Sequence, residues 1–247
     1  MKRLESLNKQ LNTKITQPTN QQQQKIDIQT LEFKNAVPSH YKEHEKKMKQ
    51  IAQQSIQQSY LNEINQWKYV GVKNNITSHV KSQPNSSHLM FRGEGYLNDS
   101  IEELEKMVFN LHEKRQYIES LKEYTTLEVL NPTMYIAYIR LKSPIVVADR
   151  DLVVITGVIK NKDGVIVVVS YSVDYLRKRP IKKVVRGDLR FQTWILQKES
   201  EKKTKITLVG CFDPKGSIPQ ILKNQLSQNQ GYNIEYLQQY LNMTQKK

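Results

Sequence analysis

Residues 126–212 constrain the fold more than any other part of the sequence, because they are almost entirely strand-like. Six segments rich in Val, Ile, Thr and Tyr follow one another with short breaks between them: 126–130, 134–141, 151–160, 165–174, 182–198 and 203–212. The break at 161–164 reads Asn-Lys-Asp-Gly, and Asp-Gly is typical of a tight hairpin turn. Strands joined by short turns pair antiparallel, since parallel neighbours need a long crossover connection. The sequence therefore predicts a large antiparallel sheet.

Helical patterns precede this region. Ala52 and Ile56 belong to an apolar series at every fourth residue, which predicts a helix from about residue 41 to residue 65. Two further helices are predicted, one from residue 100 and one at about 113–124. Three short strands are expected between the first helix and the second: 67–73, 76–81 and 88–97.

The C-terminal residues predict one long final helix. Apolar residues recur at helical spacing from 218 to 241, and Gly231 is expected to kink or interrupt the helix. In the preceding strand, Ile206, Leu208 and Phe212 fall on one side of the period-two alternation. We expect this side to be the inner face of the sheet.

The first forty residues differ in composition from the rest. Residues 21–24 are a glutamine run, and 12–29 are mostly polar. Such a segment buries too little apolar surface to offset the entropy of ordering it. We therefore expect a flexible tail at 1–40 and a folded domain at 41–247. The leucines of residues 4–15 leave open a short amphipathic helix.

Charge and composition bound the function. The chain has 247 residues, 38% of them hydrophobic, and 38 Lys and Arg against 24 Asp and Glu give a net charge of +14. That excess favours anionic partners: a phospholipid surface, a nucleic acid or an acidic protein. The single cysteine, Cys211, excludes an intramolecular disulfide and a metal site made of cysteines alone. With no long apolar run and no signal-peptide core, the expected location is cytoplasmic.

The basic residues are concentrated at one place. Residues 177–186 contain six Lys and Arg, and near an anionic leaflet each contributes about 1 kcal/mol of attraction. The sequence thus predicts transient docking at an anionic membrane surface; the alternative is a solvated hairpin edge protected by lysine. The candidate docking residues are Arg177, Lys178, Arg179, Lys182 and Lys183.

Three motifs occur in the order and spacing of a known family. Residues 212–219 read Phe-Asp-Pro-Lys-Gly-Ser-Ile-Pro, residues 150–153 read Arg-Asp-Leu-Val, and Val-Arg-Gly at 185–187 is followed by Trp194. In these motifs, and in the order of its elements from about residue 41 to 243, the sequence resembles the START family, the steroidogenic-acute-regulatory-protein-related lipid-transfer domains.

The resemblance implies an α+β helix-grip fold. In that fold a curved nine-stranded antiparallel sheet wraps a long C-terminal helix and leaves an internal apolar tunnel for one lipid. The family binds sterols, glycerophospholipids, sphingolipids or carotenoids, and most members use no metal and perform no chemistry. The resemblance therefore implies a non-enzymatic lipid-binding and transfer protein without a cofactor or catalytic residues, and we expect a monomer.

The resemblance also suggests which residues line the tunnel. Sterol-binding members bury a charged pair at positions that look like Ala137 and Thr156 here, so this tunnel would be neutral. Members specific for phosphocholine use an Arg and an Asp where this sequence has Lys114 and Ile118, which leaves the lipid open. The expected tunnel residues are Tyr135, Ala137, Ile139, Leu152, Val154, Thr156, Leu222 and Leu226.

A gate is expected at the loop between the fifth and sixth strands. Residues 143–149 read Ser-Pro-Ile-Val-Val-Ala-Asp, and in the family this loop and the final helix cover the tunnel mouth. Ile145, Val146 and Val147 would either contact a bilayer or fold back on the final helix.

Three other functions stay open. The chain could be a lipid sensor coupled to its Gln-rich tail, or an enzyme of the wider helix-grip superfamily. No histidine has metal-ligand spacing, and no nucleophile elbow or phosphate-binding loop is present. The third is nucleic-acid binding through the basic segment; without an RNP-like motif or zinc finger, no nucleic-acid partner is expected.

Overall fold

One sheet organises the molecule. The computed structural model describes residues 25–62, 64–84, 86–110, 118–143 and 147–244. The strands are β1 (Glu32–Phe33), β2 (Lys68–Lys73), β3 (Ile76–Lys81), β4 (Met90–Leu97), β5 (Leu121–Asn131), β6 (Met134–Leu141), β7 (Arg150–Lys160), β8 (Ile166–Ser172), β9 (Val185–Arg186), β10 (Asp188–Ser200) and β11 (Lys203–Asp213). Nine of them pair antiparallel in the order β2-β3-β4-β11-β10-β8-β7-β6-β5. Two short strands also pair with β7: β1 pairs antiparallel, and β9 pairs in parallel.

Within the described ranges, four α-helices cover the two faces. They are α1 (Lys42–Ser59), α2 (Ile101–Phe109), α3 (Gln220–Gln230) and α4 (Ile234–Thr244). On one face, α2 and α4 pack on Val158, Trp194 and Leu208 in a single buried cluster. On the other, α1 packs on alternate residues such as Ile155 and Val167. We call the first the inner face and the second the outer face. This is the helix-grip arrangement that the resemblance implied.

The C-terminal helix is divided, as the glycine predicted. A 3₁₀ turn at Gly231–Asn233 separates α3 from α4. Gly231 crosses β4 so closely that a Cβ there would lie 2.3 Å from Ser78 Oγ and 2.8 Å from the Arg92 carbonyl oxygen. On the opposite side of the crossing, a Cβ on Gly93 would lie 1.9 Å from the Gly231 oxygen. Only glycine permits this approach of helix and strand.

Two helix predictions need correction. The helix expected at 113–124 is wrong over its last turn, because β5 begins at Leu121 and pairs along β6; residues 111–117 lie outside the described part. Cross-strand pairing and β-branched Thr125 override the local apolar spacing there. The first helix ends at Ser59, earlier than expected, since Tyr60 is extended with ψ 132°.

The tail boundary also moves. Ile26, Leu31 and Val37 are buried in the outer core, and Ile26 N donates to Tyr60 Oη at 2.9 Å. Residues 25–40 therefore belong to the folded domain, because their few apolar side chains complete the outer layer around α1. The possible amphipathic helix at 4–15 lies outside the described residues.

Candidate functional site

The predicted wall residues of β6 and β7 share the inner face, beside the central core. Tyr135 and Ala137 form a buried cluster with Phe109 and Tyr124. Leu152 and Val154 form another with Leu189 and Phe212, and Ile139 contacts both clusters. Neither cluster is part of the core beneath α4. The inner face thus has two regions: one closed by α2 and α4, and one nearer the β5 edge with its own lining.

A groove opens at this second region. It has a volume of about 340 Å³ and lies between the end of α2 and the strands β5 and β6. Sites for small ligands typically occupy about 300–1,000 Å³. Its lining residues are Lys106, Phe109, Asn110, Tyr124, Thr126, Val129, Asn131, Pro132 and Tyr135. An enclosed, lipid-sized tunnel stays a prediction, since residues 111–117 continue from this point outside the described part.

The buried polar groups of the region include several hydroxyls. Tyr135 Oη donates to the Phe109 carbonyl at 2.6 Å, and burial raises the pKa of this phenol, so it stays neutral. Thr156 Oγ1 and Ser170 Oγ share a hydrogen bond at 2.9 Å and are both buried. The described lining of the groove includes no carboxylate or imidazole. Such a surface can hydrogen-bond a hydroxyl, ester or amide.

The two halves of the C-terminal helix pack differently. In α4, Ile234 and Leu237 are fully buried, and Glu235 is held by Lys73 Nζ at 2.7 Å. In α3, by contrast, Leu222 and Leu226 are 39% and 38% exposed. The two predicted tunnel residues on α3 are therefore only partly covered. This helix carries an apolar side that the described residues leave unfilled.

Arg150 ties the gate segment to the entrance of α3. Its Nε and Nη2 donate to the carbonyls of Pro214 and Lys215, both at 3.1 Å, and Nη1 donates to the carbonyl of Ala148. Of the predicted gate residues, Val147 is half-buried, whereas Ile145 and Val146 lie outside the described residues. All three of these contacts of Arg150 are with backbone carbonyls, which gives the side chain a structural role.

An ion-pair cluster fixes the base of the same loop. Asp149 accepts hydrogen bonds from Lys122 Nζ at 3.0 Å and Arg140 Nη2 at 2.7 Å. These two cations, Lys122 first, lower the pKa of Asp149 to about 2. On the outer face, Arg186 Nε donates to Asp151 at 2.7 Å. The start of β7 is therefore anchored where the loop joins the sheet.

The predicted docking residues lie on the segment between β8 and β9. Arg177, Arg179, Lys182 and Lys183 are exposed. Lys178 differs, because its Nζ lies 3.7 Å from the centroid of the Tyr138 ring and holds the segment on the outer face. We call residues 174–183 the docking segment.

No sequence pattern singled out Leu176, which is 95% exposed in the docking segment. The available signal was one leucine directly before the basic run. A leucine so exposed among cations suits an interface between water and lipid.

Two titratable groups elsewhere, Cys211 and His88, have shifted pKa values because they are buried. Burial raises the pKa of the Cys211 thiol, which lies on the outer face beside Met90 and Val209. Burial lowers the pKa of His88, whose Nε2 lies 3.3 Å from Asp213. In the described ranges, no group of three or more metal-ligating side chains comes together. None of the helices described there has the length and hydropathy of a bilayer span.

Comparison with known proteins agrees with this architecture. Residues 47–236 match the model of the START domain family. Human StAR-related lipid transfer protein 5 superposes with a TM-score of 0.74 and 18% identity, over 83% of this chain and 99% of that one. Human STARD10 gives 0.69 and 16%, over 83% and 80%. A STAR-related lipid transfer protein from Xanthomonas axonopodis gives 0.61 and 24%, over 71% and 98%. No curated protein matches the sequence significantly.

Proposed function

This chain belongs to the START domain family, and on that premise we propose that it binds one lipid on its inner face and carries it between membranes. The structurally similar proteins from human and Xanthomonas are described as lipid transfer proteins, which supports this function. The lipid is a sterol, a phospholipid or another acyl lipid. No covalent chemistry is proposed, and the protein acts as a cytoplasmic monomer that touches membranes transiently.

The unequal packing of the C-terminal helix carries the proposal. A lipid with a sixteen-carbon chain loses about 12 kcal/mol when it leaves a bilayer for water, at roughly 0.8 kcal/mol per CH₂. A carrier must replace that apolar contact. The inner groove and the wall residues Ala137 and Val154 supply apolar surface on the sheet, and the partly covered Leu222 and Leu226 supply more on α3.

The polar groups support an uncharged anchor for the lipid. Tyr135, Thr156 and Ser170 present hydroxyls on the inner face. A neutral hydroxyl, ester or amide can pair with them without the cost of burying a charge. This chemistry fits a sterol or an acyl lipid held by its polar end.

Loading requires a gate, and we propose that α3 and residues 143–149 provide it. Arg150 hydrogen-bonds Ala148 in the first element and the residues that lead into the second, and α3 is less buried than α4. The exposed cations of the docking segment would bring the protein to an anionic leaflet.

Vesicle-to-vesicle transfer tests the proposal. Donor vesicles contain a self-quenched fluorescent sterol or phospholipid, and acceptor vesicles contain none. The protein should raise the rate of dequenching in proportion to its concentration, for at least one lipid class. Leu222→Glu/Leu226→Glu should abolish this transfer, and Gln225→Glu, on an exposed position of the same helix, should not. A rate equal to that without protein, across all lipid classes, contradicts the function.

A further inference from the structure

A second groove lies on the outer face, beside the docking segment. It has a volume of about 580 Å³ and runs between the start of α1, strand β5 and the residues after β8. The sheet separates it from the inner groove, since Leu127 faces outward whereas Thr126 lines the inner groove. Its lining residues are Tyr41, Leu127, Glu128, Asp174, Tyr175, Leu176 and Arg177.

Glu128 is the organising group of this outer groove. Tyr41 Oη donates to its Oε1 at 2.7 Å, and Tyr175 Oη donates to its Oε2 at 3.3 Å. Burial and the Glu128 carboxylate raise the pKa of Tyr41 to about 12, so this hydroxyl remains a donor at neutral pH. In the described part of the chain, no Lys, Arg or His forms an ion pair with Glu128. Among the described residues, the result is a carboxylate that accepts hydrogen bonds from two tyrosines and forms no ion pair.

Such a site suits an ammonium group. A quaternary ammonium binds well against the faces of tyrosine rings, and a half-buried carboxylate gains from a cation beside it. Asp174, also on the lining, adds a second negative charge. Ammonium groups occur on basic peptides and on lipid headgroups. The charges around the groove indicate which of these two ligands it would bind.

The surroundings favour a zwitterion over a basic peptide. Arg177 lines the same groove, Arg179 is exposed next to it, and the whole chain carries +14. These cations repel a basic peptide but attract a phosphate. Leu176 lies at the rim of the groove and is 95% exposed, so the acyl chains of a membrane lipid could cover it.

We propose that the outer groove binds the phosphocholine headgroup of a membrane lipid. The ammonium lies at Glu128 between Tyr41 and Tyr175, and the phosphate lies at Arg177. The lipid stays in the bilayer and is distinct from the cargo of the inner groove. This proposal depends on the proposed function in one respect only, which is that the protein contacts a membrane.

Vesicle binding tests it. Flotation is measured with vesicles of phosphatidylcholine or phosphatidylethanolamine, each with the same minor fraction of phosphatidylserine. The wild type should bind the phosphatidylcholine vesicles about five- to tenfold more tightly, as expected for cation–π contacts with two rings. Glu128→Gln and Tyr175→Leu should each reduce the preference to less than about twofold. Glu201→Gln, which removes the same charge from an exposed turn, should keep it.

Equal binding of the wild type to both vesicles overturns the proposal, as does a preference that survives Glu128→Gln. Soluble phosphocholine, titrated into the wild type, should shift the NMR signals of Tyr41 and Tyr175, and no shift would also refute it. This measurement does not depend on the folding of a variant. Lipid transfer by the wild type is measured in parallel, so a wild type that transfers lipid but shows no headgroup preference contradicts this site alone, and a wild type that transfers nothing contradicts the proposed function.

Discussion

The guanidinium of Arg150 donates from Nε to the carbonyl oxygen of Pro214 at 3.1 Å, across 64 residues of sequence. Through Ala148 and Lys215, the same side chain holds both segments that border the inner region. Its partners are backbone carbonyls, so the contact fixes the path of the chain at the end of β11 and the start of β7.

Replacing Arg150 should therefore loosen both segments together. Arg150→Met leaves three carbonyls without their donor, and we expect a loss of about 2–4 kcal/mol in the free energy of unfolding. Urea denaturation measures this loss. Arg179→Met, on an exposed position, should change stability by less than about 0.5 kcal/mol. Equal stability of both variants would show that Arg150 is not a structural tie.

The crossing of the C-terminal helix over β4 should not tolerate a methyl group. Gly231→Ala places a Cβ against Ser78 Oγ and the Arg92 backbone, and we expect a loss of about 1–3 kcal/mol. Thermal unfolding measures the change. Gln225→Ala, in α3, serves as the control and should be near neutral. A Gly231→Ala variant as stable as the wild type would mean that α4 is free to move at this point.

Filling the inner wall should stop lipid uptake. Val154→Trp puts an indole among Leu152, Leu189 and Phe212, where a lipid chain is proposed to lie. Lipid transfer should fall to background while circular dichroism still shows a folded sheet. Val72→Trp, on the exposed edge strand β2, should transfer normally. If the Val154→Trp variant folds and transfers lipid normally, Val154 does not line the lipid-binding site.

Reversing the exposed cations should weaken membrane docking. Arg179, Lys182 and Lys183 changed together to Glu should reduce binding to phosphatidylserine vesicles by at least about 100-fold at low salt, at roughly 1 kcal/mol per lost cation. Lys178 is left unchanged, because it packs on Tyr138. The matched control reverses Lys198, Lys202 and Lys203 at the far hairpin. If both triple variants lost the same amount of vesicle binding, docking would depend on the net charge of the protein and not on the docking segment.

Buried His79 should make stability depend on pH. Burial, and the charge of Arg92, lower its pKa to about 4, against 6.5 for an ordinary histidine. The unfolded chain therefore binds this proton first, and stability should fall as pH drops from about 6.5 towards 4. His79→Phe, which cannot bind a proton, should show a smaller decline over that range. Identical pH profiles for the two proteins would contradict a neutral, buried imidazole.

The sequence was informative wherever one pattern repeats over several residues. Alternation along β11 predicted that Leu208 lies on the inner face, and the START resemblance implied the same face for Val154 and Thr156. Gly231 was found from its place within an apolar stripe. By contrast, the apolar residues of 121–124 have helical spacing, but these residues lie in β5. Their pairing with β6, which the local sequence does not show, makes them a strand and not a helix.

Other features depend on contacts distant in sequence. The outer groove joins Tyr41, Glu128 and Tyr175, which no local pattern connects. Residues 25–40 are polar on average, and yet Ile26 and Leu31 are buried because α1 leaves a place for them on the sheet. A deletion of residues 1–24 should leave transfer intact under the carrier hypothesis and impair signalling under the sensor hypothesis.

The central claim is that the inner face, beneath α3, holds one lipid. Native mass spectrometry of the purified protein, followed by extraction and identification of what it carries, tests this most directly. We predict a bound species of lipid mass at one copy per chain, lost in Val154→Trp and retained in Val72→Trp. A wild type that stays at its bare mass after incubation with sterol, phospholipid and other acyl-lipid vesicles would contradict the account.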